Sequence, residues 1–234
     1  MSRPTTRILR RVVLAALFVA VPVFVALALW TRHLALDAEL DSPRLGRTVA
    51  VDDAELHYVE RGSGRPVVLL HGAFGSLLDF TATVFDPLSR RYRTIAIDRP
   101  GHGYSDRPDD ASTPVAQARL VHDALERLGI ERPLLVGFSW SGALVLAYAL
   151  AYPDDVAGLV VVNGVTHPWP GATNPLYAIA SIPLVGPLFT HTLVMPLGRW
   201  LARASIERAF EPERVPMSFS SSSVALSLRP ATYA

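Results

Sequence analysis

Four short, almost wholly apolar runs constrain this chain more than any other feature: Pro66-Val67-Val68-Leu69-Leu70, Thr94-Ile95-Ala96-Ile97, Leu134-Leu135-Val136 and Leu159-Val160-Val161-Val162. A strand with one solvated face alternates apolar and polar residues, whereas a strand covered on both faces does not, so these runs predict strands inside a parallel sheet. Helix-like stretches over 77–90, 114–128 and 140–151 separate them. Strand and helix alternating at this spacing define an α/β fold with right-handed crossovers. Ahead of the first run, residues 48–61 hold two short β-like segments split at Asp52-Asp53, the pattern of an opening hairpin. After Gly164 the texture turns Pro-rich, with Pro168, Pro170, Pro175, Pro183, Pro187 and Pro196, and predicts short helices over 165–234 rather than more sheet.

The amino terminus obeys different rules. Residues 12–31 carry no charge over 20 positions, and at about 1.5 Å per residue a helix of that length crosses a hydrocarbon core of roughly 30 Å. Pro22 is tolerated in a membrane helix, and Trp30 falls where an interfacial aromatic sits. Arg3, Arg7, Arg10 and Arg11 precede the span, while Arg32 is followed by Asp37, Glu39 and Asp41. The positive-inside rule then places residues 1–11 in the cytoplasm and the rest of the chain outside. A cleaved signal peptide ending at Ala26-Leu27-Ala28 is the competing reading, and it exports the domain equally. Residues 32–47, with Pro43 and Gly46, read as a linker, which leaves a core over 48–164.

Composition closes off several functions. At 234 residues and 50% hydrophobic content, one domain fits after the span is set aside. A net charge of +1 with scattered arginines offers nucleic acid no attractive field. The absence of cysteine removes disulfides, thiolate metal sites and a cysteine nucleophile. No histidine and carboxylate grouping shows metal-ligand spacing, and Gly101-His102-Gly103 does not open a helix as a dinucleotide fingerprint would, so neither metal nor cofactor is expected.

Catalytic groups in open α/β sheets collect past the carboxyl ends of the strands. After residues 134–136 comes Gly137-Phe138-Ser139-Trp140-Ser141-Gly142, then the helical Ala143-Leu144-Val145. A serine at so sharp a strand-to-helix turn needs small neighbours, and Gly137, Ser141 and Gly142 supply them. The following helix aims its N–H groups and positive dipole end at charge developing beside Ser139. The run over 66–70 leads into His71-Gly72-Ala73-Phe74-Gly75, and the run over 94–97 into Asp98-Arg99-Pro100-Gly101-His102-Gly103-Tyr104-Ser105.

These three loops, in this order, resemble the α/β-hydrolase superfamily, in its branch with a helical cap after the sixth strand. The resemblance covers 48–164 by motif and the cap by texture. It implies Ser139 as nucleophile and an oxyanion hole from the backbone N–H groups of Trp140 and Ala73, or less favourably Phe74. Serine rather than a carboxylate there points to acyl chemistry and away from the epoxide-hydrolase and dehalogenase relatives. Ser141 departs from the family's usual glycine. His71 and His102 read as structural hydrogen-bonding residues, Asp98 as the anchor of its turn, and His122 as a polar position on an amphipathic helix. Trp169, Phe189 and Trp200 suit an acyl pocket, though core packing accounts for them equally well.

The resemblance also implies an acid and then a histidine after the serine. Asp154 and Asp155 precede the fourth run, at the wrong end of the sheet. Glu207, Glu211 and Glu213 come after the last histidine, His191, and Asn163 stands where some relatives place their acid. Seventy residues follow Gly164, too few for a cap and two more strand–helix units of about 30 residues each. The chain is therefore expected to carry the first part of such a fold without its triad acid and base. The expected function is a membrane-anchored serine hydrolase acting on a carboxylic ester or related small acyl substrate. A proline-releasing aminopeptidase, which also places tryptophan after the serine, and a catalytically inactive binding module are the alternatives.

Overall fold

In the computed structural model, residues 4–167, 175–215 and 222–233 are described. The opening hairpin forms where Asp52-Asp53 predicts it: β1 (Arg47–Val51) and β2 (Ala54–Arg61) pair antiparallel, closing on Val51 opposite Ala54. Asp52 takes φ +52° there, a left-handed conformation that aspartate tolerates better than most residues. The four apolar runs become β3 (Pro66–Leu70), β4 (Arg93–Ile97), β5 (Leu134–Phe138) and β6 (Gly158–Val162). Six strands form one sheet in the order β1-β2-β4-β3-β5-β6, parallel from β4 to β6.

Side-chain parity along the runs explains their lack of alternation, because both faces are covered. Val68, Leu70, Ile95, Ile97 and Leu135 point to one face, where α4 (Pro114–Arg127) and α5 (Ser141–Ala151) deliver Val121, Leu125, Leu144, Val145 and Tyr148. Val67, Leu69 and Ala96 point to the other, against Leu77, Phe80 and Phe85. Thr113 caps α4 by accepting the Ala116 N–H at 3.1 Å, with Pro114 at its first position and Gly129 at φ +61° just past its end.

The structure changes three expectations. The helix expected over 77–90 splits into α2 (Leu78–Thr81) and α3 (Phe85–Ser89). Pro87 lacks an N–H and its ring would clash with the Thr83 carbonyl, which disfavours an unbroken helix through that turn by about 3 kcal/mol. The fourth run lies at the sheet edge: among the described residues nothing pairs with the outer side of β6, and Val160, Val161 and Val162 are 37–44% exposed. Finally, the supposed linker over 32–47 is helical for most of its length. One helix, α1, runs from Pro4 to Asp41, because the residues after Thr31 are good helix formers whose inner face finds a partner.

That partner is the carboxyl-terminal segment, whose described elements are helices joined by turns, as the Pro-rich texture predicts. It comprises α6 (Pro175–Ala180), α7 (Val185–Phe189), a π turn (Thr190–Val194), α8 (Met195–Phe210) and α9 (Ser222–Ser227). Ala38 packs with Val194, Met195, Leu226 and Leu228, and the Thr31 hydroxyl donates to the Thr192 carbonyl at 3.0 Å. Leu78 and Tyr104, from the loops after β3 and β4, complete the cluster. The end of α1 and the carboxyl-terminal helices thus sit over the carboxyl edge of the sheet.

Candidate active site

The carboxyl end of β5 breaks into the left-handed region at one residue. Ser139 has φ +52°, a conformation that costs a side-chain-bearing residue roughly 1–2 kcal/mol. Backbone hydrogen bonds hold it there: Ser139 N–H donates to Val162 O, and the N–H groups of Gly142 and Val165 donate to Ser139 O, all at 3.0 Å. The turn is as tight as the sequence requires. A Cβ at Gly137 would lie 2.4 Å from the Ser141 carbonyl oxygen, and one at Gly142 would lie 2.7 Å from Gly164 Cα. Gly164, read from the sequence only as a boundary, is the reciprocal half of that contact, since its own Cβ would lie 3.0 Å from Gly142 Cα, and 2.3 Å from Val161 Cγ1. A glycine two positions after an apolar run, one strand beyond the serine, was the available signal.

The 71–75 loop runs against this turn, with a Cβ at Gly72 reaching within 3.1 Å of Ser139 Cβ. The carbonyls of His71, Gly72 and Ala73 are engaged. His71 O accepts from Arg99 Nε at 2.9 Å and from Ser141 Oγ at 2.5 Å, and Gly72 O accepts from an Arg99 Nη at 2.9 Å. His102 Nε2 lies 2.9 Å from Ala73 O. In a trans peptide the C=O and the next N–H point in opposite directions, so fixing these carbonyls also fixes the amides of Gly72, Ala73 and Phe74. Ser141, the departure from the family's glycine, is therefore used: its buried hydroxyl ties the serine turn to this loop.

Arg99 organises the region, and sequence reasoning passed over it. Its side chain is buried, reaches Gln117 Oε1 with its other Nη at 2.8 Å, and lies 4.4 Å over the Trp140 ring. Its backbone N–H donates to His71 Nε2 at 3.0 Å, which leaves the His71 proton on Nδ1, 2.9 Å from Gly72 O. Burial first, and then the Arg99 charge, hold the His71 pKa well below its ordinary value. His102 is lowered to about 3 by the same causes in the same order. Both rings are neutral groups hydrogen-bonded within these loops, as their loop positions suggested.

The acid-stability consequence has a definite sign. Between pH 6.5 and about 3 the unfolded chain protonates His102 while the folded chain does not, so stability is present above pH 6.5 and is lost as pH falls through that window. Each such histidine contributes up to about 1.4 kcal/mol per pH unit. We expect the urea midpoint of the detergent-solubilised protein to fall steeply below pH 6.5, and His102→Gln to flatten the slope. An unchanged slope in that variant would contradict the assignment.

Asp98 anchors its turn as expected. Its carboxylate accepts from Leu77 N–H at 2.7 Å and Tyr104 N–H at 3.0 Å, and from the buried ring of His57 at 2.7 Å. The role of His57 was not legible, because its partner lies 41 residues away. His122 does more than occupy a polar helix position: it stacks on Tyr152 at 3.7 Å and lies 3.1 Å from Asp155. With Asp123 and Glu126 it makes a grouping of metal-like spacing that the sequence reading did not register. Its ring nitrogens already face carboxylates. Asp155 ends the 3-10 turn before β6, at the amino end of the sheet. His167 and His191 are exposed and face Thr166 Oγ1 and the Pro187 carbonyl. The described ring contacts of the histidines thus lie away from the Ser139 hydroxyl. Phe189 packs in the α1 cluster and Trp200 is 75% exposed, so neither helps form an acyl pocket at Ser139; Trp169 lies outside the described residues.

A mixed, mostly parallel sheet with a left-handed serine between strand and helix, and a braced glycine loop beside it, defines a hydrolase-type α/β architecture. A family model described as alpha/beta hydrolase fold matches residues 65–183, half the chain, and the chain belongs to that family. It is 32% identical to haloalkane dehalogenase 2 of Mycobacterium tuberculosis over 129 residues, 54% of this chain and 44% of the relative. It is 34% identical to 2-hydroxymuconate semialdehyde hydrolase of Pseudomonas putida over 139 residues, 58% of this chain and 49% of that one. The chain spans about half the length of these curated relatives. An α/β-hydrolase-fold protein from Burkholderia ambifaria superposes with a TM-score of 0.66 at 26% identity, covering 80% of this chain and 67% of the other.

Proposed function

We propose that Ser139 is the nucleophile of a membrane-anchored hydrolase acting on a carboxylic ester or related acyl substrate. The observation that carries this reading is the strained, left-handed backbone of Ser139 at a strand–helix junction packed to glycine-only clearances. Strain of 1–3 kcal/mol persists at a site only when the surroundings over-determine it. A hydroxyl at this apex favours attack on an acyl carbon over removal of a halogen, the chemistry in the mycobacterial relative's name. As Ser139 Oγ bonds to the acyl carbon, the carbonyl oxygen gains a negative charge. The N–H of Trp140, at the start of α5, and that of Ala73, with Phe74 as the less favoured donor, receive it.

The hydroxyl proton needs an acceptor, and the ring contacts of the described histidines are with other groups. In this reading the acid and the histidine are supplied by polypeptide other than these 234 residues. The test is to add a segment carrying an acid followed by a histidine and to assay short acyl esters beside aminoacyl amides. Ester turnover supports the proposal; turnover of amides alone would favour the proline-releasing peptidase, and turnover of neither with a correctly folded protein would favour a binding module.

The anchor in this reading is α1, whose stretch from Ile8 to Asp41 is long and apolar enough to cross a membrane. Arg3, Arg7, Arg10 and Arg11 keep the amino terminus in the cytoplasm. A reporter fused after Ala234 is expected to be active only outside the cytoplasm of a bacterial host, and cytoplasmic activity would refute the orientation.

A further inference from the structure

The carboxyl-terminal helices present an apolar surface that the fold does not use. No Asp, Glu, Lys or Arg occurs over residues 156–198, 43 positions in a chain that is 18% charged. Within this stretch the turn between α6 and α7 exposes Ile182 by 47% and Leu184 by 90%, and α7 exposes Val185 by 49% and Leu188 by 47%. Leu184 is held at φ +67°, an unfavourable conformation for a bulky side chain. On α8, Leu197, Trp200 and Leu201 follow at i, i+3 and i+4 and are exposed by 44%, 75% and 46%. They lie on one face of the helix. The opposite face is occupied, since Met195 is buried with Ala38, Leu226 and Leu228, and on the flank a Cβ at Gly198 would lie 2.5 Å from Leu228.

The place of this surface identifies its occupant. The π turn joining α7 to α8 is hydrogen-bonded to Thr31, the last residue of the uncharged span. Trp30, one residue earlier, is itself 52% exposed, the position of an interfacial aromatic. The exposed turn and helix face therefore flank α1 at the level where it leaves the hydrocarbon. Charges resume with Arg199 and Arg203, long side chains able to reach headgroups from the edge of an apolar face. Exposed apolar area continuous with a membrane span is the signature of a second, interfacial membrane contact.

We propose that the turn over 181–188 and the Leu197, Trp200 and Leu201 face of α8 are seated in the surface of the lipid bilayer beside the span. The inference rests on the reading of α1 as a membrane helix and deepens the functional one. Ser227 Oγ donates to Gly75 O at 3.2 Å, and Arg229 donates to Gly103 O. The membrane-seated block is thereby fixed to the loops at the carboxyl end of the sheet, the end that carries Ser139. The catalytic edge faces the bilayer, and an acyl substrate dissolved in the lipid reaches it without crossing bulk water.

The cysteine-free sequence allows a direct test on the full chain in vesicles of phosphatidylcholine and phosphatidylglycerol. Nitroxide labels on Leu184→Cys and Trp200→Cys are compared with Leu17→Cys in the span and Glu131→Cys at the amino end of the sheet. These positions are exposed, so substitution leaves packing intact. Collisions with oxygen are expected to exceed those with a water-soluble nickel chelate at 17, 184 and 200, with the order reversed at 131. Lipid exposure at 17 with chelate access at 184 and 200 would overturn the inference and leave the span standing. Low access to both reagents at 184 and 200 would show that protein covers the surface, and would also overturn it. Chelate access at 17 would remove the membrane reading itself.

Discussion

Arg99→Met is expected to lower the unfolding free energy by about 2–4 kcal/mol and to loosen the 71–75 loop. Charge-assisted hydrogen bonds contribute about 1.5–3 kcal/mol each, and those of Arg99 include His71 O, Gly72 O and Gln117 Oε1. A desolvated cation over an aromatic face, here Trp140 at 4.4 Å, adds about 2 kcal/mol. Against these stands the cost of burying the guanidinium, several kcal/mol, which methionine removes. The hydrogen bonds win because the variant does not merely delete the charge. Gln117 Oε1 loses its charged donor, and Gly72 O keeps only neutral partners, the His71 ring and the Gly75 N–H at 3.4 Å. Lysine should recover less than half of the loss, since one ammonium cannot span three acceptors in a plane. The measurement is urea unfolding in detergent micelles, followed by tryptophan emission. A second readout separates this mechanism from simple loss of packing. Arg99 is a cause of the depressed pKa of both His71 and His102, so Arg99→Met should raise both and shallow the decline of stability below pH 6.5. An unchanged midpoint and slope would show that the guanidinium is incidental to the loop.

What could be read from the residues alone follows a physical division. The strands were legible because burial on both faces leaves an unbroken apolar run, and the serine turn because its steric demand falls on adjacent residues, Gly137, Ser141 and Gly142. The hairpin turn at Asp52-Asp53 was legible for the same local reason. Features that depend on distant partners were not. Arg99 looked like one more scattered arginine until its contacts with residues 71, 72, 117 and 140 were seen. His57 gave no sign of pairing with Asp98. The course of α1 beyond Thr31 was misjudged because Pro43 and Gly46 were weighed above the helix formers between Leu34 and Leu40. What decided that segment was packing against Val194, Met195 and Leu226, more than 150 positions away. The interior of the 77–90 stretch was a local error, since Pro87 was in view and its clash with the preceding turn follows from ring geometry. Edge position is different again: nothing within Leu159-Val160-Val161-Val162 distinguishes a central strand from a strand at the margin.

Ser139→Ala is expected to have the largest effect of any single substitution, and its size depends on whether a base is present. In a complete serine hydrolase the loss of the nucleophile costs on the order of 10⁶-fold in kcat. The 234-residue chain holds the serine strained and the neighbouring loop braced, but no histidine described here is bonded to the hydroxyl. An unassisted serine hydroxyl is a weak nucleophile at its ordinary pKa. The chain by itself should therefore react only slowly with a fluorophosphonate probe, which reports an activated serine whatever the natural substrate. Adding a segment that supplies an acid and a histidine should make labelling fast, and Ser139→Ala should abolish it, while Ser105→Ala in the Asp98 turn should not. Rapid Ser139-dependent labelling of the unaided chain would mean that one of its own histidines serves as base. His167 is then the first to replace, because it is exposed and lies two residues beyond Val165, whose N–H is bonded to the Ser139 carbonyl. Absence of Ser139-dependent labelling in every form would leave the strained turn without a chemical role and would overturn the assignment of Ser139 as nucleophile.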